Sequence, residues 1–146
     1  FVFCKPSQSW DEHELLIRNA EEIYQALGLP YRIVNICIGE LGPIAAKKYD
    51  LEVWMPAQRR YRELVSCSNC TDYQANRLEI RYREAPHVEE TQYVHTLNST
   101  AIATERTIVA ILENYQRRDG SVDIPEVLHP YMHGVTRLKP KDQSSP

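Results

Sequence analysis

The sequence contains no long apolar run, and this absence argues against a membrane-spanning helix. Such a helix needs about 20 consecutive apolar residues, whereas charged residues make up 25% of this 146-residue chain and interrupt its apolar stretches. The first residues, FVFCKP, have neither the basic start nor the apolar segment of a signal peptide. We therefore expect a cytoplasmic protein with no membrane association.

Positive charge is not in excess either. Lys and Arg number 17 against 20 Asp and Glu, which gives a net charge of −3. The composition therefore provides no overall electrostatic case for a nucleic-acid-binding protein. The chain also lacks internal repeats and low-complexity segments, so its length and composition fit one globular domain or part of one.

Cysteine is scarce, and only Cys67 and Cys70 form a Cys-x-x-Cys pair. A structural zinc site usually needs four ligands, and Cys4 and Cys37 would complete one only through folding. Without a secretory signal, a disulfide framework is not expected. We therefore expect buried, reduced thiols and no zinc.

The first half of the chain predicts a strand, a long helix and a second strand. Residues 1–4 predict a short strand entered in its middle, and with no initiator Met we expect a fragment or a processed chain. Ser9 and Glu12 fit a capping box at the start of a helix, which Gly28 ends. Residues 31–38, rich in Ile and Val, predict the second strand.

The middle of the chain predicts a hairpin followed by shorter elements. Residues 49–55 alternate between apolar and polar side chains, and residues 61–67 follow after a short spacer, which indicates antiparallel neighbours. A helix capped at residue 71 or 72 runs to about residue 80. After an acidic loop at 84–91, residues 93–97 predict another strand.

Residues 93–116 (YVHTLNSTAIATERTIVAILENYQ) join a polar turn to an amphipathic helix. The helix is expected from near residue 103 to residue 120. Arg106 lies near its start, where the helix already carries positive partial charge, so a bound anion would explain the arginine. The alternative is a solvated arginine offset by Glu105 or Glu113. The three- and four-residue spacing predicts a buried face of Ile108, Ile111, Leu112 and Tyr115.

Antiparallel strands with separated helices and no βαβ series predict an α+β fold. Residues 122–131 are expected to form irregular turns. We expect residues 1–134 to belong to one domain and residues 135–146 to form a polar C-terminal tail.

Five segments in order carry a resemblance to a known family: LGLPYRIVNICIGELG, AAKKYDLEVWMPAQRRYRELVSCSN, DYQANRL, HTLNSTAIATERTIVAILENYQ and IPEVLHPYMHG. Over residues 1–134 the chain resembles the C-terminal half of the catalytic domain of seryl-tRNA synthetases, which are class II aminoacyl-tRNA synthetases. The resemblance implies an antiparallel sheet flanked by helices. It also implies a reaction in which serine and ATP form seryl-adenylate, from which serine passes to the 3′ end of tRNA.

The resemblance implies ATP contacts at Glu63, Leu64, Val65 and Ser66, with Mg²⁺ held by Glu63 and Ser66. Hard cations favour carboxylate and hydroxyl oxygens. Residues three apart on a regular strand face opposite sides, so a bulge or the strand end must bring both side chains to the nucleotide. From spacing alone, an exposed edge strand is the alternative.

The resemblance also matches Arg106 to the motif 3 arginine, which pairs with the γ-phosphate of ATP through a planar guanidinium. Asn98 and Thr100 match the serine pocket, where small polar groups would bind the substrate hydroxyl. The alternative for these two residues is a helix cap. The commoner family pattern has glycines in this stretch, at the positions here occupied by Ser99, Ala101 and Glu105.

In the family, motif 1 of the dimer interface, most of motif 2 and the tRNA-gripping coiled coil lie N-terminal to the position of Phe1. We therefore expect a homodimer and tRNA(Ser) recognition to involve regions mostly outside this segment, and the segment alone to be inactive. Two alternatives stay open: a non-catalytic synthetase-like binding module, and a paralogue that loads an amino acid onto a carrier protein.

Overall fold

The computed structural model describes residues 1–141, in which strands and helices alternate irregularly along the chain. In chain order the elements are β1 (Val2–Cys4), α1 (Ser9–Ala26), β2 (Tyr31–Asn35), β3 (Lys47–Met55), β4 (Arg60–Asn69), α2 (Tyr73–Leu78), β5 (Arg81–Tyr82), β6 (Gln92–Tyr93), β7 (His95–Ser99), α3 (Thr104–Tyr115), β8 (Val122–Asp123) and β9 (Arg137–Leu138). Short 3₁₀ helices lie at Pro6–Gln8, Ile38–Glu40 and Glu126–Tyr131.

The main sheet has five strands in the order β1-β7-β4-β3-β2, and each neighbouring pair is antiparallel. This confirms the α+β prediction and the antiparallel pairing of the two strands predicted at residues 49–55 and 61–67. The edge-strand alternative is wrong, because β4 lies in the centre of the sheet between β7 and β3. A central strand is the position from which side chains can meet groups from both neighbouring strands.

The core lies on one face of the sheet, where α1 and α3 pack side by side. The Tyr24 hydroxyl of α1 lies 3.2 Å from Oγ1 of Thr107 on α3, and the Tyr115 hydroxyl donates to the carbonyl of Leu27 at 2.6 Å. Because β3 is regular, its alternate residues face away from these helices. The buried cluster includes Ile17, Ala20, Tyr24, Leu27, Leu51, Val53, Met55, Leu64, Val65 and Ala110.

The predicted capping box at Ser9 is wrong. The helix α1 begins at Ser9 itself and Gln8 is its N-cap residue. The Ser9 hydroxyl instead donates to the carbonyl of Pro6 at 3.2 Å and lies 2.8 Å from Nδ1 of His95 on β7. Ser9 is fully buried, so it ties α1 to the sheet instead of closing the end of the helix.

Several predicted boundaries move by a few residues. The second strand ends at Asn35 because a 3₁₀ turn begins at Ile38. The strand predicted at 93–97 lies at His95–Ser99, and the last long helix ends at Tyr115. Two antiparallel pairs, β5 with β6 and β8 with β9, were not predicted. Strands of two residues are too short to show a hydrophobic period.

The buried face of α3 is only partly the predicted one. Ile111 and Tyr115 pack against the core, but Ile108 and Leu112 are 52% and 40% exposed. The fully packed positions are held by Thr107 and Ala110. Counting apolar residues missed Thr107, whose hydroxyl is accommodated in the core by Tyr24.

The C-terminal part folds back on itself, since Arg137–Leu138 pairs with Val122–Asp123. The predicted tail at 135–146 thus includes a short strand, while its last residues, 142–146, lie outside the described range. The division into a domain at 1–134 and a tail stays a prediction. Across residues 1–141, no helix combines the length and the apolar character that a membrane crossing needs.

Candidate functional site

A bulge in β4 brings Glu63 and Ser66 to the same face of the sheet. Across the β3–β4 pair, Leu51 is opposite Val65 whereas Glu52 is opposite Glu63, so β4 contains one extra residue at Leu64. Leu64 and Val65 are consecutive and both buried in the core, while Glu63 is exposed and Ser66 is half-buried. Of the two arrangements expected from the three-residue spacing, a bulge or the strand end, the structure contains the bulge.

The bulge also decides how Leu64 and Val65 can meet a ligand. Their side chains are 2% and 0% exposed and belong to the hydrophobic core. A nucleotide on the opposite face of the sheet would therefore meet their backbone groups and not their side chains. Sequence reasoning placed them beside the nucleotide without this distinction.

Arg106 and Glu63 meet where α3 approaches β4. Arg106 is the third residue of α3, and its Nη1 donates to the Glu63 carbonyl oxygen at 2.9 Å and lies 3.9 Å from Glu63 Oε1. Among the described residues, neither Glu105 nor Glu113 forms an ion pair with Arg106, as the alternative of a solvated arginine offset by one of them would require. Glu113 accepts from the backbone of Ala57 instead.

A cavity of about 460 Å³ opens beside this contact. Its size is within the range of small-molecule sites, about 300–1,000 Å³. Two arginines and two glutamates line it, so it offers charges of both signs to a ligand. The lining does not include Ser66, Asn98 or Thr100; it consists of Met55, Gln58, Arg62, Glu63, Leu64, Glu105, Arg106 and Val109.

Thr100 and Asn98 lie on the other side of Ser66, at the end of β7. The backbone N–H of Thr100 donates to the Ser66 carbonyl at 3.1 Å, and Asn98 is the cross-strand partner of Ser68. The alternative of a helix cap is wrong, because Ala103 is the N-cap residue of α3 and forms no side-chain cap hydrogen bond within residues 1–141. Asn98 instead directs its amide towards the Cys70 sulfur, 3.6 Å away.

The absence of glycine around Thr100 does not strain the backbone. In the described part of the chain, the non-glycine residues with positive φ are Arg59, Thr71, Glu79 and His133. Ser99, Ala101 and Glu105 therefore adopt backbone conformations that side chains tolerate. The polar turn is compatible with a site in this sequence as it stands.

The family model for the tRNA synthetase class II core domain (G, H, P, S and T) matches residues 1–115. The chain belongs to this family. It is 63% identical over 146 residues to the serine–tRNA ligase of Sulfurisphaera tokodaii, and the alignment covers 100% of this chain and 32% of that relative. It is 65% identical over 138 residues to the serine–tRNA ligase of Methanoculleus marisnigri, and that alignment covers 94% of this chain and 32% of the relative.

Two solved structures share the fold of this class II core. The seryl-tRNA synthetase from Pyrococcus horikoshii complexed with ATP has a TM-score of 0.93 and 59% identity, covering 97% of this chain and 31% of that chain. The cytoplasmic serine–tRNA ligase from Naegleria fowleri in complex with AMP has a TM-score of 0.88 and 49% identity, covering 96% and 33%. The resemblance to seryl-tRNA synthetases is confirmed, and the chain spans about a third of the length of these relatives.

Asp50 is a residue of this class II core that sequence reasoning missed. It is opposite Ser66 across the β3–β4 pair and is 8% exposed. Its Oδ1 is buried and has no hydrogen-bond partner among residues 1–141. The only signal in the sequence was the alternation of residues 49–55, which separates Asp50 from its apolar neighbours but does not show which residue lies opposite.

The oxygen groups on this face suit a hard cation. Glu63 and Asp50 provide carboxylates and Ser66 a hydroxyl, the donor types that Mg²⁺ prefers. The orphaned oxygen of Asp50 is itself a reason to expect a cation or a proton donor there. His, Cys, Asp and Glu side chains alone do not form a metal-binding group of three or more in the described residues.

The cysteines behind the site are neutral thiols. Burial raises the pKa of Cys67 to about 11 and also raises the pKa of Cys70. The carbonyl of Cys67 lies 3.0 Å from Nε2 of His13, a fully buried histidine stacked on Tyr49. Burial lowers the pKa of His13, so this imidazole is neutral at pH 7 and donates to the carbonyl. The prediction of buried thiols is confirmed for Cys67 and Cys70, while the expectation of no zinc stays a prediction.

Proposed function

We propose that this chain is a catalytic-domain segment of a serine–tRNA ligase. The full-length protein would join serine to the α-phosphate of ATP, forming seryl-adenylate and releasing pyrophosphate, and would then pass serine to the 3′ end of tRNA(Ser) with release of AMP. The observation that carries the proposal is the contact between Arg106 and Glu63 on the bulged strand β4, with Ser66 on the same face. The ATP and AMP named with the two structural relatives support a nucleotide as the ligand.

The first step places the strongest demands on the site. A carboxylate oxygen of serine attacks the α-phosphorus of ATP while the bond to pyrophosphate breaks, and both reactants are anionic. The site must therefore hold them in line and neutralise the leaving pyrophosphate. Mg²⁺, when bound, supplies positive charge to the phosphate oxygens.

Arg106 is suited to the γ-phosphate. Its guanidinium is 61% exposed and so can turn from the Glu63 carbonyl to a phosphate without disturbing the core. The N-terminus of α3 adds a favourable potential for an anion. Glu63 and Ser66 would hold the cation, and the backbone of Leu64 and Val65 would border the nucleotide.

Thr100 and Asn98 are proposed to recognise serine. Thr100 follows β7 and contacts Ser66, and Asn98 lies in β7 opposite Ser68, so an amino acid bound here would lie beside the proposed cation site. A threonine hydroxyl or an asparagine amide can pair with the serine side chain, and an analogue without the hydroxyl would leave that group unpaired. Homodimer formation, a cytoplasmic location and recognition of tRNA(Ser) remain proposals for the full-length protein.

Serine-dependent exchange of pyrophosphate with ATP tests the proposal. The full-length protein is expected to catalyse this exchange and to charge tRNA(Ser), whereas residues 1–146 alone are expected to show negligible exchange. Exchange without tRNA charging, but with transfer to a carrier protein, would contradict the ligase assignment. No exchange and no nucleotide binding by the full-length protein would contradict a catalytic role altogether.

A further inference from the structure

We propose that Asp50 is a third oxygen ligand, besides Glu63 and Ser66, for the divalent cation that accompanies the nucleotide. The inference rests on the proposed function, because it takes a cation at Glu63 and Ser66 as its starting point. It adds a residue on a different strand, β3, and makes the proposed cation site span the centre of the sheet.

The surroundings of Asp50 leave one of its carboxylate oxygens without a partner. The residue is 8% exposed, and within residues 1–141 its buried Oδ1 accepts no hydrogen bond. An ionised carboxylate in such a place costs free energy unless a cation or donors compensate it. Native proteins leave few buried polar atoms unpaired, and each such atom calls for an explanation.

Two basic side chains that the strand register places near Asp50 are engaged elsewhere. Two residues before Asp50, Lys48 directs its Nζ to the Glu40 carbonyl at 3.3 Å. On the neighbouring strand β2, Arg32 forms an ion pair with Glu52 at 2.6 Å. Asp50 is therefore not half of a salt bridge with either of them, which leaves a bound cation as a suitable partner for its carboxylate.

The register places Asp50 beside the proposed cation ligands. Asp50 is directly opposite Ser66, and such cross-strand neighbours have Cβ atoms about 4.5–5.5 Å apart. The next pair along is Glu52 and Glu63, after the extra residue of the bulge. Glu52 is already paired with Arg32, which leaves the carboxylates of Asp50 and Glu63 and the hydroxyl of Ser66 on this face, oxygen donors of the kind that a hard divalent cation prefers.

The test is Mn²⁺ binding to the full-length protein, measured by electron paramagnetic resonance in the presence of α,β-methylene-ATP, which cannot form the adenylate. Asp50→Asn keeps the shape and removes the charge, and should weaken Mn²⁺ binding about 10- to 100-fold. Glu52→Gln is the matched control, since Glu52 lies on the same strand and face but is already paired with Arg32. It should change Mn²⁺ affinity less than about twofold.

A third variant, Glu63→Gln, separates this inference from the function on which it rests. If Glu63→Gln weakens Mn²⁺ binding and Asp50→Asn does not, Asp50 is not a ligand and the inference is wrong. If neither variant weakens binding, the proposed cation site at Glu63 and Ser66 is wrong as well. Equal losses of Mn²⁺ affinity in Asp50→Asn and Glu52→Gln would show a general effect of negative charge on this face and would also overturn the inference.

Thermal melting provides a readout that a purely structural role would not reproduce. Without metal, Asp50→Asn should melt at or above the temperature of the wild-type protein, because it removes an uncompensated buried charge. With Mn²⁺ and the ATP analogue, the wild-type protein should gain more in melting temperature than the variant. A lower melting temperature of metal-free Asp50→Asn would indicate a structural role and contradict the inference.

Discussion

The guanidinium of Arg106 donates a hydrogen bond to the backbone carbonyl of Glu63 at 2.9 Å, which joins the first turn of α3 to the central strand. The ion pair between the two side chains is longer, 3.9 Å, and both side chains are largely open to solvent. Exposed pairs of this kind contribute about 0–1 kcal/mol to stability. The position of Arg106 is thus explained better by a ligand than by the stability of the fold.

Replacing Arg106 should therefore affect activity far more than folding. In the full-length protein, Arg106→Ala is expected to lower kcat/KM for serine-dependent ATP–pyrophosphate exchange about 100- to 1,000-fold, the usual loss when one charge-stabilising donor is removed. The free energy of unfolding should change by less than about 1 kcal/mol. Arg106→Lys should recover only part of the activity, because lysine keeps the charge but not the planar fork. An unchanged kcat/KM in Arg106→Ala would remove this residue from the site.

Thr100 should determine how strongly serine binds. Thr100→Val keeps the shape of the side chain and removes the hydroxyl, and we expect at least a tenfold lower kcat/KM for serine in the exchange assay. Ser99→Ala is the control, because the Ser99 hydroxyl donates to the backbone carbonyl of Thr100 at 3.0 Å and not to the proposed pocket. Equal effects of the two variants would argue for a disturbed turn instead of a lost substrate contact.

Gly28 and Tyr115 form a tight contact, so substitutions at the two positions should have non-additive effects on the free energy of unfolding. Gly28 has φ +65, and an added Cβ would lie 2.6 Å from the Tyr115 hydroxyl oxygen. We expect Gly28→Ala to destabilise the protein by about 1–3 kcal/mol. Tyr115→Phe loses the hydrogen bond to Leu27 and should cost about 0.5–1.5 kcal/mol.

In the double variant Gly28→Ala/Tyr115→Phe, the phenylalanine has no hydroxyl and leaves room for the methyl group of the new alanine. Its total cost, measured by urea denaturation, should therefore fall below the sum of the single variants by at least about 0.5 kcal/mol. Additive costs would show that the close approach does not determine the effect of Gly28→Ala.

His13 should make the protein less stable in mild acid. Burial lowers its pKa from 6.5, so below that pH the unfolded chain binds a proton that the folded chain resists. Stability then falls as the pH decreases, by at most about 1.4 kcal/mol per pH unit for this group, and the contribution is complete above pH 6.5. Burial also lowers the pKa of His95, which adds to the same trend.

His13→Gln is the variant that isolates this contribution. A glutamine amide can still donate to the Cys67 carbonyl, but it does not titrate. Between pH 7.5 and 5.5, the free energy of unfolding of the variant should depend less steeply on pH than that of the wild-type protein. Identical pH dependence in urea titrations would show that the buried imidazole is not a source of acid sensitivity.

The bulge at Leu64 shows what sequence reasoning could reach. The family resemblance required Glu63 and Ser66 to reach the same ligand, and their three-residue spacing called for a bulge or a strand end; the structure contains the bulge. The β3–β4 hairpin and the two long helices were predictable because β3 and both helices have a local hydrophobic period and a short spacer joins β3 to β4. The fold class followed from the order of these elements.

The residues that were missed depend on contacts distant in sequence. Asp50 became a candidate only once the register placed it opposite Ser66. Ser9 looked like a helix cap because its contact with His95 on β7, 86 residues away, cannot be read from local spacing. Buried polar groups satisfied across the fold leave no periodic trace in the sequence, so the candidate site was less predictable than the fold.

The cysteines provide a labelling test of the strands that hold the site. At pH 8, a thiol with a pKa of about 11, as burial gives Cys67, is ionised in only about one molecule in a thousand. Cys67 and Cys70 are also closed to solvent, whereas Cys37 is exposed. Iodoacetamide should therefore modify Cys37 within minutes and leave Cys67 and Cys70 unmodified in the folded protein, as mapped by mass spectrometry. All four thiols should react in urea, which serves as the control. Modification of Cys70 as fast as Cys37 would mean that the contact between Cys70 and Asn98 opens readily, and a serine pocket built on Asn98 would lose its support.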